Sequence, residues 1–204
     1  MPFSLAWASE YVLVYKSTEL HLNLSYDVVL RYFDMIEDDA FDTLAKTRIA
    51  FEMFVENAEE IKDMSDQADC LEIILNDYLE FNMEDANGED SSGEQLYDFT
   101  KDAGYIYASF LFDYQMDLVE MRGKLHWLEF LELFKNLSSK SKMGEAIYYR
   151  SVKVPSVKVA GRDERKRILD MKKYYRLHKE TPQEQRMQHN IADLFGYLKA
   201  KSEK

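Results

Sequence analysis

Histidine is the residue type in this sequence that is best suited to metal binding or to acid–base chemistry near neutral pH. The chain has four histidines, which lie in different segments, at positions His21, His126, His178 and His189. Their spacing fits no usual zinc or catalytic pattern, and the single cysteine excludes a cysteine-built zinc site. We therefore predict no catalytic residue, no metal and no cofactor. We expect His126 to be a packed or helix-capping residue.

An acidic stretch at 83–95 has a weak similarity to a calcium-binding loop. With Gly88 at the turn position, five oxygen-bearing residues would occupy ligand positions: Asp85, Asn87, Glu89, Ser91 and Glu94. The first ligand position would then be Met83, which has no oxygen to offer the ion. The favoured interpretation is a solvated, flexible linker, because two of the seven glycines lie here among acids and serines.

A basic segment at 162–176 combines lysines and arginines with tyrosines. This pattern can bind nucleic acid, but the whole chain has a formal net charge of −12 and shows no known nucleic-acid-binding motif. We favour a solvated helix face or a surface for an acidic protein partner, and consider nucleic acid an unlikely ligand. The basic residues that we assign to a candidate protein interface are Arg165, Lys172, Lys173 and Arg176.

Aromatic residues recur at almost every second position between 97 and 114. Because a helix cannot bury both of its faces against one core, this alternation predicts that some rings are exposed, as at protein interfaces. Packing in the core remains the other interpretation. The candidate interface residues here and in the following turn are Tyr105, Tyr107, Phe112, Tyr114, Met116 and Met121.

Helices must position most of these residues. The 204-residue chain is 46% hydrophobic and contains only 7 glycines and 3 prolines, which favours long helices over a loop-rich β fold. Residues 10–24 read as a β-hairpin with Ser17 and Thr18 at its turn. We expect that hairpin to pack on a helix or on a hairpin of another subunit. Amphipathic helices then start at Ser25, at Asp42 or Thr43, and at Ser65, with Ser25 and Ser65 as predicted N-caps.

The second half predicts a helix capped by Asp98 and, at 124–137, a helix that is apolar nearly all round and therefore central and buried. Its core residues are Leu125, Trp127, Phe130, Leu131 and Phe134. Further helices are expected at 140–150, 162–177 and 181–201. The predicted fold is mainly α, a multi-helix bundle with a short N-terminal β-hairpin. The predicted segments are 1–82 (hairpin and acidic helices), 83–95 (linker), 96–178 (helical core and basic helix) and 179–204 (helical extension).

The net charge is distributed unevenly. Residues 1–102 contain 25 acidic and 6 basic residues, whereas residues 103–204 contain 13 acidic and 20 basic residues. This asymmetry predicts either two surfaces with different partners, or head-to-tail association, or two halves that fold against each other. We expect no signal peptide and no membrane-spanning segment, because the apolar runs are short.

Five sequence blocks are similar to the motifs of one protein family. Residues 97–118 are similar to its "DFxxDxxYIYAxFxxxYGIDL" stretch, and residues 125–137 are similar to "LHWWKFxxLFxxL". Residues 142–150 resemble "KFGxIMxYR", residues 172–176 resemble a basic "KxYYR" end, and residues 24–35 resemble "DFRxVLxxFDML". By these blocks the chain resembles the bacteriophage Gp15 family, and the resemblance covers about residues 15–178. Leu128 replaces the second Trp, Gln115 replaces the Gly, and the segment after Thr181 has no counterpart.

The resemblance implies a protein of tailed phages and prophages of low-GC Gram-positive bacteria, encoded between the major tail protein and the tape-measure protein. It implies a non-enzymatic tail assembly chaperone that binds the tape-measure protein and other tail proteins in the host bacterial cytoplasm. A homo-oligomer without membrane contact is expected. Ten methionines could supply adaptable binding surface. The alternatives are a structural tail or connector component retained in the virion, and a regulatory protein that binds nucleic acid.

Overall fold

The computed structural model describes residues 11–79 and 95–177. The chain divides into two compact units, residues 1–153 and residues 154–204, and each is described by itself. The described residues form seven α-helices and one two-stranded antiparallel hairpin. The predicted fold class is therefore confirmed. The predicted linker at 83–95, except its last residue, and the predicted extension at 179–204 lie outside the described residues.

The hairpin consists of β1 (Val12–Tyr15) and β2 (Thr18–His21), with Val12 opposite His21. The two turn residues are Lys16 and Ser17, one position earlier than predicted. Both have positive φ angles, 45° and 71°. Two left-handed residues match the right-handed twist of the strands, which is why two-residue hairpins favour this turn.

Helical elements of the same chain anchor the hairpin, as one of the two expected arrangements requires. Leu22, just after β2, forms a β-bridge with Val55. At the turn, the Tyr15 hydroxyl donates to Asp66 at 3.2 Å and Lys16 forms an ion pair with the same carboxylate at 2.7 Å. A hairpin is marginally stable by itself, so these contacts supply the packing that it needs.

Three helices follow the hairpin: α1 (Tyr26–Glu37), α2 (Thr43–Phe54) and α3 (Met64–Ile73). A 3₁₀-helix, Ala58–Glu60, precedes α3, and a π-helical segment, Ile74–Tyr78, continues it. Asp42, one of the two predicted starts, caps α2, since its carboxylate accepts from Ala45 N at 2.8 Å. The prediction that Ser65 caps α3 was wrong. Asp63 is the cap, because its carboxylate accepts from the backbone N–H groups of the first turn.

The next helix, α4 (Ala103–Tyr114), begins later than predicted. The Asp98 carboxylate does accept from two backbone N–H groups, those of Thr100 and Lys101, but it closes an isolated turn before the helix. Asp102 occupies the N-cap position instead. The helix ends at Gln115, whose φ of 52° places it in the left-handed region. Its N–H and that of Met116 satisfy the last carbonyls of α4.

The predicted central helix is confirmed as α5 (Trp127–Lys135), shorter than expected because the residues before it belong to a turn. The predicted core residues are all buried: Leu125, Trp127, Phe130, Leu131 and Phe134. Phe130 stacks at once on Tyr26 of α1 and on Phe110 of α4, with ring centroids 5.0 and 5.3 Å apart. Helix α5 is thus the layer on which α1 and α4 both pack.

The last helix of the first unit, α6 (Lys142–Ser151), approaches the preceding chain closely at Gly144. A Cβ atom there would lie 2.1 Å from the carbonyl oxygen of Ser138. Ser141 caps this helix, and its Oγ accepts from Gly144 N at 3.3 Å. The turn before α6 therefore folds against the helix only because residue 144 has no side chain.

The second unit contains α7 (Val157–Tyr174), which is interrupted at Gly161. It begins before the predicted basic helix, whose start at 162 corresponds to the part of α7 after the interruption. Residues 154–177 contain 8 basic and 3 acidic residues, whereas residues 95–153 contain 8 of each. Among the described residues, the excess of basic charge therefore lies in the second unit, and the excess of acidic charge lies in residues 11–79 of the first.

Within the first unit, the acidic segment 11–79 folds against the neutral segment 95–153. Ser25 forms a β-bridge with His126, and the Tyr26 hydroxyl donates to the carbonyl of Leu118 at 2.5 Å. Of the alternatives for the charge asymmetry, folding of the N-terminal half against the following residues is thus observed. Among the described residues, no helix combines the length and the hydrophobicity that a membrane span requires.

Candidate functional site

The candidate aromatics on α4 differ in how far they are exposed. Phe112 has 64% of its surface exposed, whereas Tyr105, Tyr107 and Tyr114 are half-buried. The Tyr114 hydroxyl donates to the carbonyl of Leu133 at 2.8 Å. The Tyr107 hydroxyl lies 3.2 Å from the Asp117 carboxylate, and burial of the phenol is the main cause that raises its pKa. Phe112 is therefore the α4 candidate with most surface available to a partner.

The candidate methionines lie in the turn that joins α4 to α5. Met116 and Met121 are both half-buried. Met116 N donates to Phe110 O at 3.3 Å, and Met121 N donates to Asp117 O at 3.1 Å. These hydrogen bonds hold the backbone of the turn, so each thioether is presented from an ordered position.

A groove between α1 and α4 has a volume of about 570 Å³. Phe130 of α5 and Ile106 of α4 contribute to its lining, as do Leu30 of α1 and Val119 of the following turn. Val119 is 52% exposed, and the larger part of the lining is apolar. A cavity of this size and character is typical of a binding site. Of the interface residues predicted from sequence, Tyr107 lines it.

Polar groups at the rim of this α1–α4 groove are held in place by neighbours. The Asp27 carboxylate accepts from Gly123 N at 2.8 Å and pairs with Arg31 at 3.6 Å. Asp34 accepts from the Thr100 hydroxyl at 3.0 Å. The rim therefore carries ordered charges of both signs around an apolar floor. Sequence reasoning missed the groove, because its two walls are more than 60 residues apart in the chain.

The candidate basic residues lie in the second unit, on α7 and just after it. The Arg165 guanidinium donates to the carbonyl of Pro155 at 2.6 Å and is half-buried. Lys172 is half-buried, and Lys173 and Arg176 are exposed. Exposed apolar side chains accompany them on this unit, among them Val159 and Leu169. The second unit therefore presents a basic surface that also has apolar character.

His126 sits at the N-terminus of α5. Its Nδ1 accepts from Leu128 N at 3.3 Å, and the Glu129 carboxylate accepts from His126 N at 3.4 Å, which completes a capping box. The ring stacks on Tyr11 with centroids 3.8 Å apart. Burial lowers the pKa of His126 to about 4, so the imidazole is neutral at physiological pH. The expected packing and capping role is confirmed.

A buried ion pair connects the start of α4 to the end of α6. Arg150 donates to both oxygens of Asp102, at 2.6 and 2.8 Å, and the two side chains are only 7% and 4% exposed. Arg150 also donates to the carbonyl of Leu96, and Asp102 accepts from the N–H of Asp98. Bidentate pairing with these extra hydrogen bonds satisfies a buried charge pair.

No group of three or more His, Cys, Asp and Glu residues within 11–79 and 95–177 is placed to hold a metal ion. His178, His189 and the acidic residues that were compared with a calcium-binding loop lie outside this range. What the described residues do form is the apolar groove between α1 and α4.

Comparison with protein families matches residues 9–177 to the family described as Bacteriophage Gp15 protein. The chain belongs to this family. The match covers most of the 204 residues and confirms the resemblance inferred for about residues 15–178. Membership in the Gp15 family indicates a structural or tail-related bacteriophage protein. Comparisons with curated proteins and with solved structures find no match.

The Gp15-like sequence blocks contribute mainly to the architecture of the first unit. Asp102 and Arg150 come from two different blocks and form the buried pair. His126 caps α5, and Gly144 permits the close approach at α6. Aspartate, arginine and histidine side chains often take part in catalysis, but in this fold Asp102, Arg150 and His126 have structural roles.

Proposed function

We propose that this Gp15 protein is a non-enzymatic tail assembly chaperone that binds the tape-measure protein in the host cytoplasm. The observation that carries the proposal is the α1–α4 groove, an open apolar cavity of about 570 Å³ in a phage protein whose chemistry-bearing residues serve its architecture. A chaperone for a long helical client needs apolar grooves that receive the client's side chains.

Exposed apolar residues, both in this groove and elsewhere on α4, support the proposal. Val119 lines the groove and is 52% exposed, and Phe112 on α4 is 64% exposed. Apolar surface of this kind on a folded protein marks an interaction site more often than it serves stability. Half-buried Met116 and Met121, in the same turn as Val119, add side chains that adapt to different client surfaces.

The charge of the chain supports the same proposal. A net charge of −12 keeps copies of a binding protein apart and in solution while they cover an aggregation-prone client. We propose that the protein acts as an oligomer, in which several copies bind along one client. The host cytoplasm is the proposed location because the client is made there.

Co-expression with the tape-measure protein encoded by the same phage tests the proposal. We expect a soluble complex that co-purifies, and a tape-measure protein that precipitates when expressed alone. Val119→Glu places a charge in the groove and is expected to reduce the co-purified tape-measure protein about tenfold. Val14→Glu, at a comparably exposed valine on the hairpin, is the matched control and should leave the complex intact.

A tape-measure protein that is equally soluble without this chain would contradict the proposal. Mass spectrometry of purified virions separates the proposed chaperone from a structural component. We expect the protein to be absent from finished particles, because a chaperone leaves when the tail tube assembles. Stoichiometric amounts in the virion would favour the structural alternative instead.

A further inference from the structure

A second groove lies between α1, α2 and α3 and has a volume of about 400 Å³. Most of its lining is apolar, and small residues leave the space open. Its walls include Tyr32, Ile36, Thr47, Ala50, Ala68 and Leu75. We call it the acidic groove, for the charges described below. Its α1 residues lie on the helix face opposite to the one that lines the α1–α4 groove, so the two cavities are separate.

Apolar side chains are exposed at the acidic groove and in the chain beside it. Ile36, which lines the groove, is 44% exposed, and Leu44 in the first turn of α2 is 63% exposed. Phe41, in the connection between α1 and α2, is 39% exposed. Three large apolar side chains exposed within nine residues are costly to leave in water, which indicates a surface that a partner covers.

Acidic residues lie in the groove and in the chain beside it. The end of α1 and its connection to α2, residues 37–42, contain four acidic residues and no basic residue, and Glu72 lines the groove itself. Lys46 is the one cation among the described lining residues, and its Nζ donates to the carbonyl of Ile36 at 2.5 Å. An acidic rim around an apolar floor is complementary to a partner that is basic and amphipathic.

The wall that α3 contributes has unusual backbone geometry. After Ile73 the helix continues as a π-helical segment, Ile74–Tyr78, and its residues Leu75 and Asn76 line the groove. Segments of this kind are rare, and they occur frequently at functional sites because they shift side chains out of the regular helical spacing. The π-helical segment is a second feature, independent of charge, that sets this groove apart from the rest of the surface.

We infer that the acidic groove binds a basic amphipathic helix of a partner protein. The apolar stripe of that helix packs against Ile36, Ala50 and Leu75, and its lysines or arginines lie over Glu37, Asp39 and Glu72. A helix seated there would add a fourth helix to α1, α2 and α3 and would cover the exposed apolar side chains. This is a binding site in addition to the α1–α4 groove of the proposed function.

The test uses full-length protein and two fluorescein-labelled 20-residue peptides. Both carry leucines at helical i, i+3, i+4, i+7 spacing; one has lysines at the other positions and the second has glutamates. Fluorescence anisotropy at 150 mM NaCl measures their Kd values. We expect the lysine peptide to bind at least about a hundredfold more tightly than the glutamate peptide. Equal binding of the two peptides would overturn the inference.

A space-filling variant tests whether the peptide occupies the groove. Ala68→Trp fills the groove from an exposed helical position, so the fold is expected to tolerate it. Ala108→Trp makes the same change at an exposed position of α4 that does not line the groove, and is the control. We expect Ala68→Trp to weaken binding of the lysine peptide about tenfold and Ala108→Trp to leave it unchanged. Identical affinities for both variants would overturn the inference.

Charge variants separate local recognition from general attraction to an acidic protein. The triple variant Glu37→Gln, Asp39→Asn, Glu72→Gln removes three charges at the groove. The control Glu56→Gln, Glu59→Gln, Glu60→Gln removes three exposed charges elsewhere. We expect a loss of about tenfold in affinity for the first triple variant and less than about threefold for the second. An equal loss in both would show non-specific attraction and overturn the inference.

Self-association is measured in parallel by light scattering of the unliganded protein. If Ala68→Trp abolished self-association of the wild-type chain, the groove would belong to a second copy, and the inferred partner would be wrong. The designed peptides contain no tape-measure sequence. Failure of this test therefore leaves the proposed chaperone function standing, and failure of co-purification with the tape-measure protein leaves the groove inference standing.

Discussion

The block formed by α4, α5 and α6 differs from the layer formed by α1, α2 and α3 in which polar and apolar side chains it buries and which it leaves exposed. In the block, a charge pair is buried and satisfied, and Phe130 lies between aromatic neighbours. In the layer, apolar side chains such as Leu44 stay exposed beside the acidic stretch 37–42. The comparison teaches that the recognisable sequence blocks both build the fold and line most of the α1–α4 groove, whereas the acidic groove is lined largely by residues outside those blocks.

Of the changes predicted here for the two regions, breaking the buried ion pair is expected to lower the free energy of unfolding most. Asp102→Ala leaves the Arg150 charge buried without its carboxylate partner and should lower the free energy of unfolding by about 3–5 kcal/mol. Urea denaturation followed by circular dichroism measures the loss. Lys16→Met removes the exposed pair with Asp66 in the other region and should leave stability nearly unchanged.

A double variant shows whether the cost comes from the unpaired charge. Asp102→Ala combined with Arg150→Met buries no charge and is expected to be more stable than Asp102→Ala alone. Losses that simply add in the double variant would mean that the two side chains do not act as a pair.

Gly144→Ala is expected to have the next largest effect. The added Cβ would lie 2.1 Å from a backbone carbonyl oxygen, so the turn before α6 must move, at a cost of about 3 kcal/mol. Gly104→Ala is the control within α4, because a Cβ there meets no atom within 4 Å. That variant should gain about 0.5–1 kcal/mol from its better helix propensity. Similar losses for both variants would contradict the close approach at Gly144.

The lowered pKa of His126, at the start of α5, predicts that the free energy of unfolding depends on pH. Its pKa is about 4 in the folded protein, below the ordinary value of 6.5, so the unfolded chain binds the proton more readily. The free energy of unfolding is therefore expected to fall by about 3 kcal/mol, through this group alone, as the pH is lowered from above 6.5 to about 4.

The His126 contribution is measured by comparing unfolding free energies of the wild type and of His126→Asn between pH 7.5 and pH 4. Asparagine can still cap α5 but does not titrate, so the variant should show a smaller loss over this range. Parallel curves for the two proteins would show that the imidazole remains able to take up a proton in the folded state.

Gln115→Gly is expected to have the smallest effect, and in the stabilising direction. Gln115 has a φ of 52°, a conformation that costs a residue with a side chain more than it costs glycine. Glycine there should raise the free energy of unfolding by about 1 kcal/mol, measurable as a higher urea midpoint. No gain would mean that contacts of the Gln115 side chain offset the backbone cost.

The sequence predicted the secondary structure well where a periodic pattern and burial agree. The stripe of Leu125, Trp127, Phe130 and Phe134 indicated a buried helix, and it became α5. Helix starts were less predictable, because several polar residues near Asp98 and Ser65 can cap, and the sequence does not show which carboxylate reaches the first-turn N–H groups. Phe112 was among the predicted interface residues and is indeed exposed.

The sequence by itself determined the fold class, the central helix and the family, because hydrophobic periodicity and short residue blocks are local properties of the chain. Only the tertiary structure decided the pairing of Asp102 with Arg150, 48 residues apart, and the existence of the two grooves. A groove is the space that remains between helices after they pack. Because that packing joins residues distant in the chain, no local sequence pattern predicts where the space remains.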